Sequence, residues 1–322
     1  MVESFNPEWV NLEKIEYFDL NDFVSQIKLS DKVLYHMEST GQEFEDYIKM
    51  LEQFTYGDNC TILYYLLDSA NKELRKSAEV ENNLFRNVDL FNGDLFFERL
   101  SISHERIKKI HKFVCEKSSV NAKVVAGEYR KFCATIGAYY NGEYKIYSYT
   151  PEPSDIKRFM DSFIEFYKTN SLKDIYNNPF FKASLAHLLI AKLQPFGDGN
   201  RRTARIIQNI AFTSGINRIY NTKLKLSPLN ISQNISINKY TYFDNLSRVK
   251  FSLKHDNSEA INRWFNFILN MYDEQLYYQK DNILSHSETF GRMKKLTSND
   301  EEFRNIAKDY NMDFIGTKRK TK

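Results

Sequence analysis

Apolar side chains recur along this chain at intervals of three and four residues, the period of a helix with one buried face. Between Ser154 and Asn170, the residues Ile156, Phe159, Met160, Phe163 and Tyr167 fall on one side, and Ser154, following Pro153, is placed to cap the first turn. A second such helix starts at Ser103, with Ile107, Ile110, Phe113 and Val114 inward. The segment Phe180 to Leu193 is apolar almost all round, which predicts a buried central helix. Ile261, Trp264, Phe265, Phe267 and Ile268 form a further amphipathic stretch that reads as core packing. One region breaks the helical period. From Ala134 to Tyr149 the chain is rich in Thr, Ile and Tyr, with Asn141-Gly142 in the middle. Both turn residues tolerate positive φ, so a β-hairpin is predicted there, as surface decoration or as part of a site. The pattern as a whole predicts a mainly α fold with one hairpin.

The central helix has a clear stop. Pro195 disfavours helical backbone at Gln194, and Gly197 and Gly199 then predict a tight loop. A helix resumes from Asn200 to Ser214, with Gly215 placed as its terminator. A glycine-rich loop feeding a helix N-terminus suits an anion, because backbone N–H groups and the helix dipole both favour negative charge there. Gly197 and Gly199 allow close backbone approach, and Asn200 can cap the helix. Arg201, Arg202 and Arg205 place three cations in the first turn and a half, which opposes the dipole unless an anion binds. Asp198 offers a carboxylate for Mg²⁺ on a polyphosphate, since Mg²⁺ takes one or two carboxylates plus phosphate oxygens. The alternative is an ordinary helical corner whose arginines are solvated or paired with acids elsewhere.

Composition narrows the class. The chain has 322 residues, 42% hydrophobic and 15% aromatic, too apolar for a disordered chain and long enough for a large core. A net charge of +3 gives no strong attraction to polyanions, so nucleic acid is not an expected partner. The basic tail Lys318 to Lys322 reads as a solvated terminus. Cys60, Cys115 and Cys133 form no close metal-type pair and leave one thiol over if two bridge, so a reduced, cytoplasmic protein is expected. Neither a secretory leader nor a membrane span is apparent. His187 reads as a satisfied core histidine. The remaining histidines, His36, His104, His111, His255 and His286, lie far from the loop in sequence and none is placed beside it.

The run Gln194, Pro195, Phe196, Gly197, Asp198, Gly199, Asn200, Arg201, Arg202, Thr203, Ala204, Arg205 resembles the Fic-family signature His-Pro-Phe-x-(Asp/Glu)-Gly-Asn-Gly-Arg-x-x-Arg. It departs at two positions: Gln194 stands at the histidine and Arg201 at a glycine. Ala126 to Arg130 looks like the family's segment before its hairpin. The hairpin around Asn141-Gly142 looks like the flap that docks a target protein. Tyr149 to Pro153 looks like the entry to the next helix. The resemblance spans about residues 100–215. Upstream, Ser77 to Asn82 is similar to the family's inhibitory pattern (Ser/Thr)-x-x-x-Glu-(Gly/Asn), though by itself it also fits an exposed acidic helix end.

The resemblance implies a fido fold: a helical bundle with a β-hairpin flap, flanked by a helical N-terminal region (1–99) carrying the inhibitory motif, and a C-terminal helical extension (216–322). It implies transfer of AMP from ATP–Mg²⁺ to a protein hydroxyl. Phosphates would lie on Gly197, Gly199, Asn200, Arg201, Arg202 and Arg205, Mg²⁺ on Asp198, and Glu81 would pair with Arg205. A homodimer is a further possibility. Gln194 cannot act as the base, because a carboxamide has no useful basicity near neutral pH, though it can orient a hydroxyl. Losing a general base costs about 10²–10⁴-fold, yet phosphoryl-type transfer rests heavily on positioning and charge. Three functional expectations follow: a weakened or altered AMP transferase, a non-catalytic nucleotide- or phosphate-binding regulator, and a hydrolase that removes AMP with Glu81 as base.

Overall fold

The computed structural model describes residues 10, 12–55, 59–80, 101–118, 120, 124–140, 143–168, 174–220, 224 and 226–285. Along the chain run α1 (Leu20–Ser25), α2 (Asp31–Thr55), α3 (Asn59–Glu79), α4 (His104–Lys117), β1 (Thr135–Tyr140), β2 (Glu143–Tyr149) and α5 (Pro153–Lys168). After a short 3₁₀ turn (Asp174–Asn177) follow α6 (Pro179–Leu193), α7 (Asn200–Ile219), α8 (Ser232–Ile237), α9 (Lys239–Arg248) and α10 (Ser258–Ser285). The fold is mainly α with a two-stranded antiparallel hairpin. Among the described residues, no helix is long and apolar enough to cross a membrane.

The central helix α6 starts where Asn178 accepts hydrogen bonds from the backbone N–H groups of Phe180 and Phe181 with Pro179 at the first helical position, a favourable N-terminal pairing. Every residue of α6 is buried, as its unbroken apolar composition requires. α7 returns alongside it. The face of α5 carrying Ile156, Phe159, Met160 and Phe163 is buried. Its first residue is Pro153, so Ser154 lies inside the first turn and is not the cap that the sequence suggested. On α4, Ser103 is the cap, its side chain accepting from the N–H of Arg106. The stretch Ile261 to Ile268 is buried core on α10.

The N- and C-terminal regions close over the core together. α10 packs along α2, where His36 meets Asn266 (3.1 Å) and Asp273 (2.6 Å), and Thr40 donates to Asp273 (2.7 Å). α3 reaches α8 through Glu73, whose carboxylate accepts from both the N–H and the hydroxyl of Ser232. Burial holds this carboxyl above its ordinary pKa, and those bonds together with the charge of Arg205 pull the other way.

The hairpin pairs Thr135 with Tyr149 at its base and has an irregularity between Ile136 and Gly137. A side chain at Gly137 would meet the Lys145 carbonyl at 2.3 Å, so only glycine fits that close crossing. The predicted turn, Asn141-Gly142, lies outside the described residues.

Gly215 does not end α7, which continues to Ile219. Its role is packing: a β-carbon there would lie 2.7 Å from Cβ and 3.0 Å from Cα of Pro179. The glycine lets the end of α7 lie against the start of α6. Gly215→Ala is therefore expected to destabilise the protein by about 1–3 kcal/mol in urea unfolding, although alanine is the better helix former by about 1 kcal/mol. A stabilised variant would show that this contact yields easily.

Candidate active site

The loop between α6 and α7 turns on Gln194, which has a left-handed backbone (φ 46°, ψ 56°), uncommon for a residue with a side chain. Four hydrogen bonds hold it. Its N–H donates to the Ile190 carbonyl (3.1 Å), and its own carbonyl accepts from Arg130 Nε (2.8 Å). In the side chain, Nε2 donates to the Ala191 carbonyl (2.7 Å) and Oε1 accepts from Asn200 Nδ2 (2.9 Å). Both ends of the carboxamide are thus tied into the loop.

Asn200 is the first residue of α7 and not its cap, contrary to the sequence reading; that place falls to Gly199, at φ 72°. Asn200 instead braces the loop from inside. Its Oδ1 accepts from the N–H of Phe196 (2.8 Å) and its Nδ2 donates to the Phe196 carbonyl (2.9 Å) as well as to Gln194. Asp198 accepts from the N–H of Gly199 and lies 3.4 Å from Arg202 Nη2. A β-carbon at Gly197 would fall 2.8 Å from the Phe132 ring, so the loop passes close to the segment leading into the hairpin.

The three loop arginines diverge. Arg201 stacks on the ring of Phe243 of α9, 4.7 Å from its centroid. Arg202, 2% exposed, donates to the Ser118 hydroxyl. Arg205, 1% exposed, donates from Nε to the Ser77 hydroxyl (2.7 Å) and from Nη2 to the Ser77 carbonyl (2.6 Å). The first residue of the upstream motif therefore meets the last arginine of the loop, joining α3 to α7. Glu81 and Asn82 lie outside the described residues.

A cavity of about 210 Å³ opens between loop and hairpin. Gln194, Gly197, Asp198 and Arg201 line it from the loop side, and Tyr147 and Ser148 from the hairpin. Lys192 also lines it and donates to the Ser247 carbonyl (3.3 Å). Burial brings the ammonium of Lys192 down to about 7. The sequence reading passed over Lys192, because nothing in a run of apolar residues shows which lysine folds inward. Among the described residues, no group of three metal-ligating side chains occurs. Mg²⁺ here would rest on Asp198 and on oxygens of its own ligand, an arrangement that ion readily accepts.

Two further residues organise the loop. Arg130 donates to the carbonyls of Gln194, Phe132 and Pro151, tying the loop to both ends of the hairpin. His111, far from the loop in sequence and not placed beside it there, lies against it. Its ring stacks on Phe196 (3.8 Å, 5°). Its Nε2 donates to the Asp198 carbonyl (3.0 Å) and its Nδ1 accepts from the N–H of Gly127 (3.0 Å). These partners fix the neutral tautomer, and burial lowers its pKa to about 4. Both nitrogens are engaged, so His111 is a brace and no substitute for the missing histidine. His187 is a satisfied core residue as expected, bonded to Gln208 (2.6 Å) and Tyr242 (2.9 Å).

His111 gives this site a pH signature. Its folded value lies below the unfolded one, near 6.5, so the unfolded chain takes up the proton first. Stability is full above about 6.5 and falls as the pH drops toward 4, by up to roughly 3 kcal/mol. Urea unfolding at pH 7 and pH 4.5 is expected to show a smaller acid loss in His111→Gln than in the unaltered protein. Parallel losses would remove His111 from this account.

Residues 101–211 match the model of the Fic/DOC family. Similar solved structures include a Fic family protein from Desulfovibrio desulfuricans G20 (14% identity, TM-score 0.52), covering 80% of this chain and 77% of that one. Residues 134–508 of Fic-1 from C. elegans are also similar (16% identity, TM-score 0.47), covering 83% of this chain and 76% of that one.

Proposed function

We propose, from the premise that residues 101–211 form a Fic/DOC-family domain, that this protein binds ATP–Mg²⁺ at the α6–α7 loop and transfers AMP to a protein hydroxyl slowly. The observation that carries this reading is the cavity between loop and hairpin, lined by Gln194, Gly197, Asp198 and Arg201. In this reading the nucleotide supplies the phosphorus centre, a target Ser, Thr or Tyr hydroxyl attacks it, and pyrophosphate leaves. The chain's own residues bind and position. Gly197 and Gly199 admit the phosphates, Arg201 and Arg202 neutralise them, and Asp198 holds the metal. Lys192 titrates near neutrality, and a polyanion in the cavity would hold it protonated. The hairpin presents the target backbone, Gln194 holds the loop in shape, and the hydroxyl's proton passes to solvent.

Arg205 is held by Ser77, which supports an inhibitory role for α3 and for Glu81 beyond it. Withdrawing that helix would release a guanidinium for the phosphates. A second reading, nucleotide binding without turnover, is favoured by one observation: both ends of the Gln194 carboxamide are spent on the loop.

The test is incubation of the protein, Gln194→His and Glu81→Gly with α-labelled ATP, Mg²⁺ and a cell lysate. Weak labelling is expected for the unaltered protein, a rise of about 10²–10⁴-fold with the histidine restored, and a rise with Glu81→Gly. No label in any of the three would overturn AMP transfer. Thermal stabilisation by ATP–Mg²⁺ in that case would leave the binding reading standing, and AMP released from a pre-labelled protein, abolished by Glu81→Ala, would assign hydrolysis instead.

A further inference from the structure

At the far end of the central helix pair lies a second cavity, of about 350 Å³, the size of a small-ligand pocket. Lys182, near the start of α6, lines it together with Lys168 at the end of α5 and Arg218 at the end of α7. Ser101, Ser103 and Ser214 add hydroxyls, and among the described residues no carboxylate belongs to the lining. Lys182 precedes Gln194 by 12 residues in one helix, about 18 Å along its axis. This cavity is therefore separate from the α6–α7 loop.

Lys182 is the unusual member. It is only 4% exposed, and among the described residues its Nζ has no hydrogen-bond partner. A buried ammonium without a partner is costly, and such groups in folded proteins are ordinarily paired. Burial first, and then the charge of Arg218, lowers its pKa to about 8. Lys182 and Arg218 thus line one space, and among the described residues no carboxylate lines it with them. Lys168 is exposed at the rim, where it adds attraction without closing the entrance.

We propose that this cavity is a binding site for a small phosphate-bearing anion, held by Lys182, Arg218 and the hydroxyls of Ser103 and Ser214. The chemistry fits that class. A guanidinium offers a planar fork of donors and an ammonium a point charge, the two side chains most used to hold phosphate. Serine hydroxyls can donate to the remaining oxygens; Ser103 accepts the N–H of Arg106 as helix cap and keeps its own proton to give. A phosphate here would supply Lys182 with the partner it lacks. The inference does not rest on the nucleotide reading of the loop.

The test uses inorganic phosphate and pyrophosphate as probes on the full chain. Calorimetry is expected to show saturable binding that weakens roughly 10- to 100-fold in Lys182→Met and comparably in Arg218→Gln, and that persists in Arg201→Ala at the loop. Binding lost in Arg201→Ala and kept in Lys182→Met would place the anion on the loop and overturn the proposal. Acetate binding as tightly as phosphate would overturn the assignment to phosphate. Lys182→Met removes an unpaired buried charge and should unfold at a higher temperature than the unaltered protein in phosphate-free buffer. A second measurement needs no variant: the Lys182 side-chain resonance should titrate near pH 8 without phosphate and at least about one pH unit higher with it, since an adjacent anion favours the charged form. An unmoved midpoint at saturating phosphate would overturn the proposal.

Discussion

The left-handed turn at Gln194 is the constraint on which the site depends. A side-chain-bearing residue in that conformation costs roughly 1–2 kcal/mol, and it persists because its surroundings over-determine it. Its backbone is bonded to Ile190 and Arg130, and its side chain to Ala191 and Asn200. This turn reverses the chain between two buried helices and thereby sets where Gly197, Asp198 and Gly199 lie. Through Arg130 it also fixes the base of the hairpin, since that guanidinium donates to carbonyls at both ends of it. Loop and hairpin are in this sense one assembly. Gln194 stands at the histidine position of the family signature, and the bonds it makes are those of a structural residue.

Charge is the second organising element. Arg202 and Arg205 are almost fully buried; Arg202 donates to the Ser118 hydroxyl and lies 3.4 Å from Asp198, and Arg205 donates to the hydroxyl and the carbonyl of Ser77. These bonds fix the direction of both guanidinium groups, so that the positive field of the loop is held in place. The carboxylate of Glu73 also acts on this field, yet its hydrogen bonds go to Ser232 and Asn209. In the proposed reading this positive field is what receives a polyphosphate. The contact of Arg205 with Ser77 joins the N-terminal region to α7, so any movement of α3 would be felt at Arg205.

Much of this was legible in the sequence, and the reason differs by element. The amphipathic faces of α4 and α5 and the apolar run of α6 follow from periodicity, because burial selects residue type one position at a time. The hairpin and the loop were legible from turn chemistry. Gly215 misled because a glycine near a helix end signals termination locally, whereas its actual constraint is the approach of Pro179, 36 residues earlier in the chain. Asn200 misled for the same reason: its side chain turns back to Phe196 and Gln194 where a cap was expected to face forward. His111 and Arg130 escaped because their roles exist only once segments 87 and 64 residues away are brought against them. Lys182 and Lys192 resemble any helical lysine until the fold buries them.

The central claim is that the α6–α7 loop is an anion cradle whose histidine position has become structural. It is tested most directly at the loop's own backbone, by following the amide resonances of Gly197, Gly199, Asn200 and Arg201 while ATP–Mg²⁺ is added. The account predicts saturable shifts at all four, with the Gln194 side-chain amide remaining in its hydrogen-bonded environment. Unmoved loop amides at saturating nucleotide would contradict it.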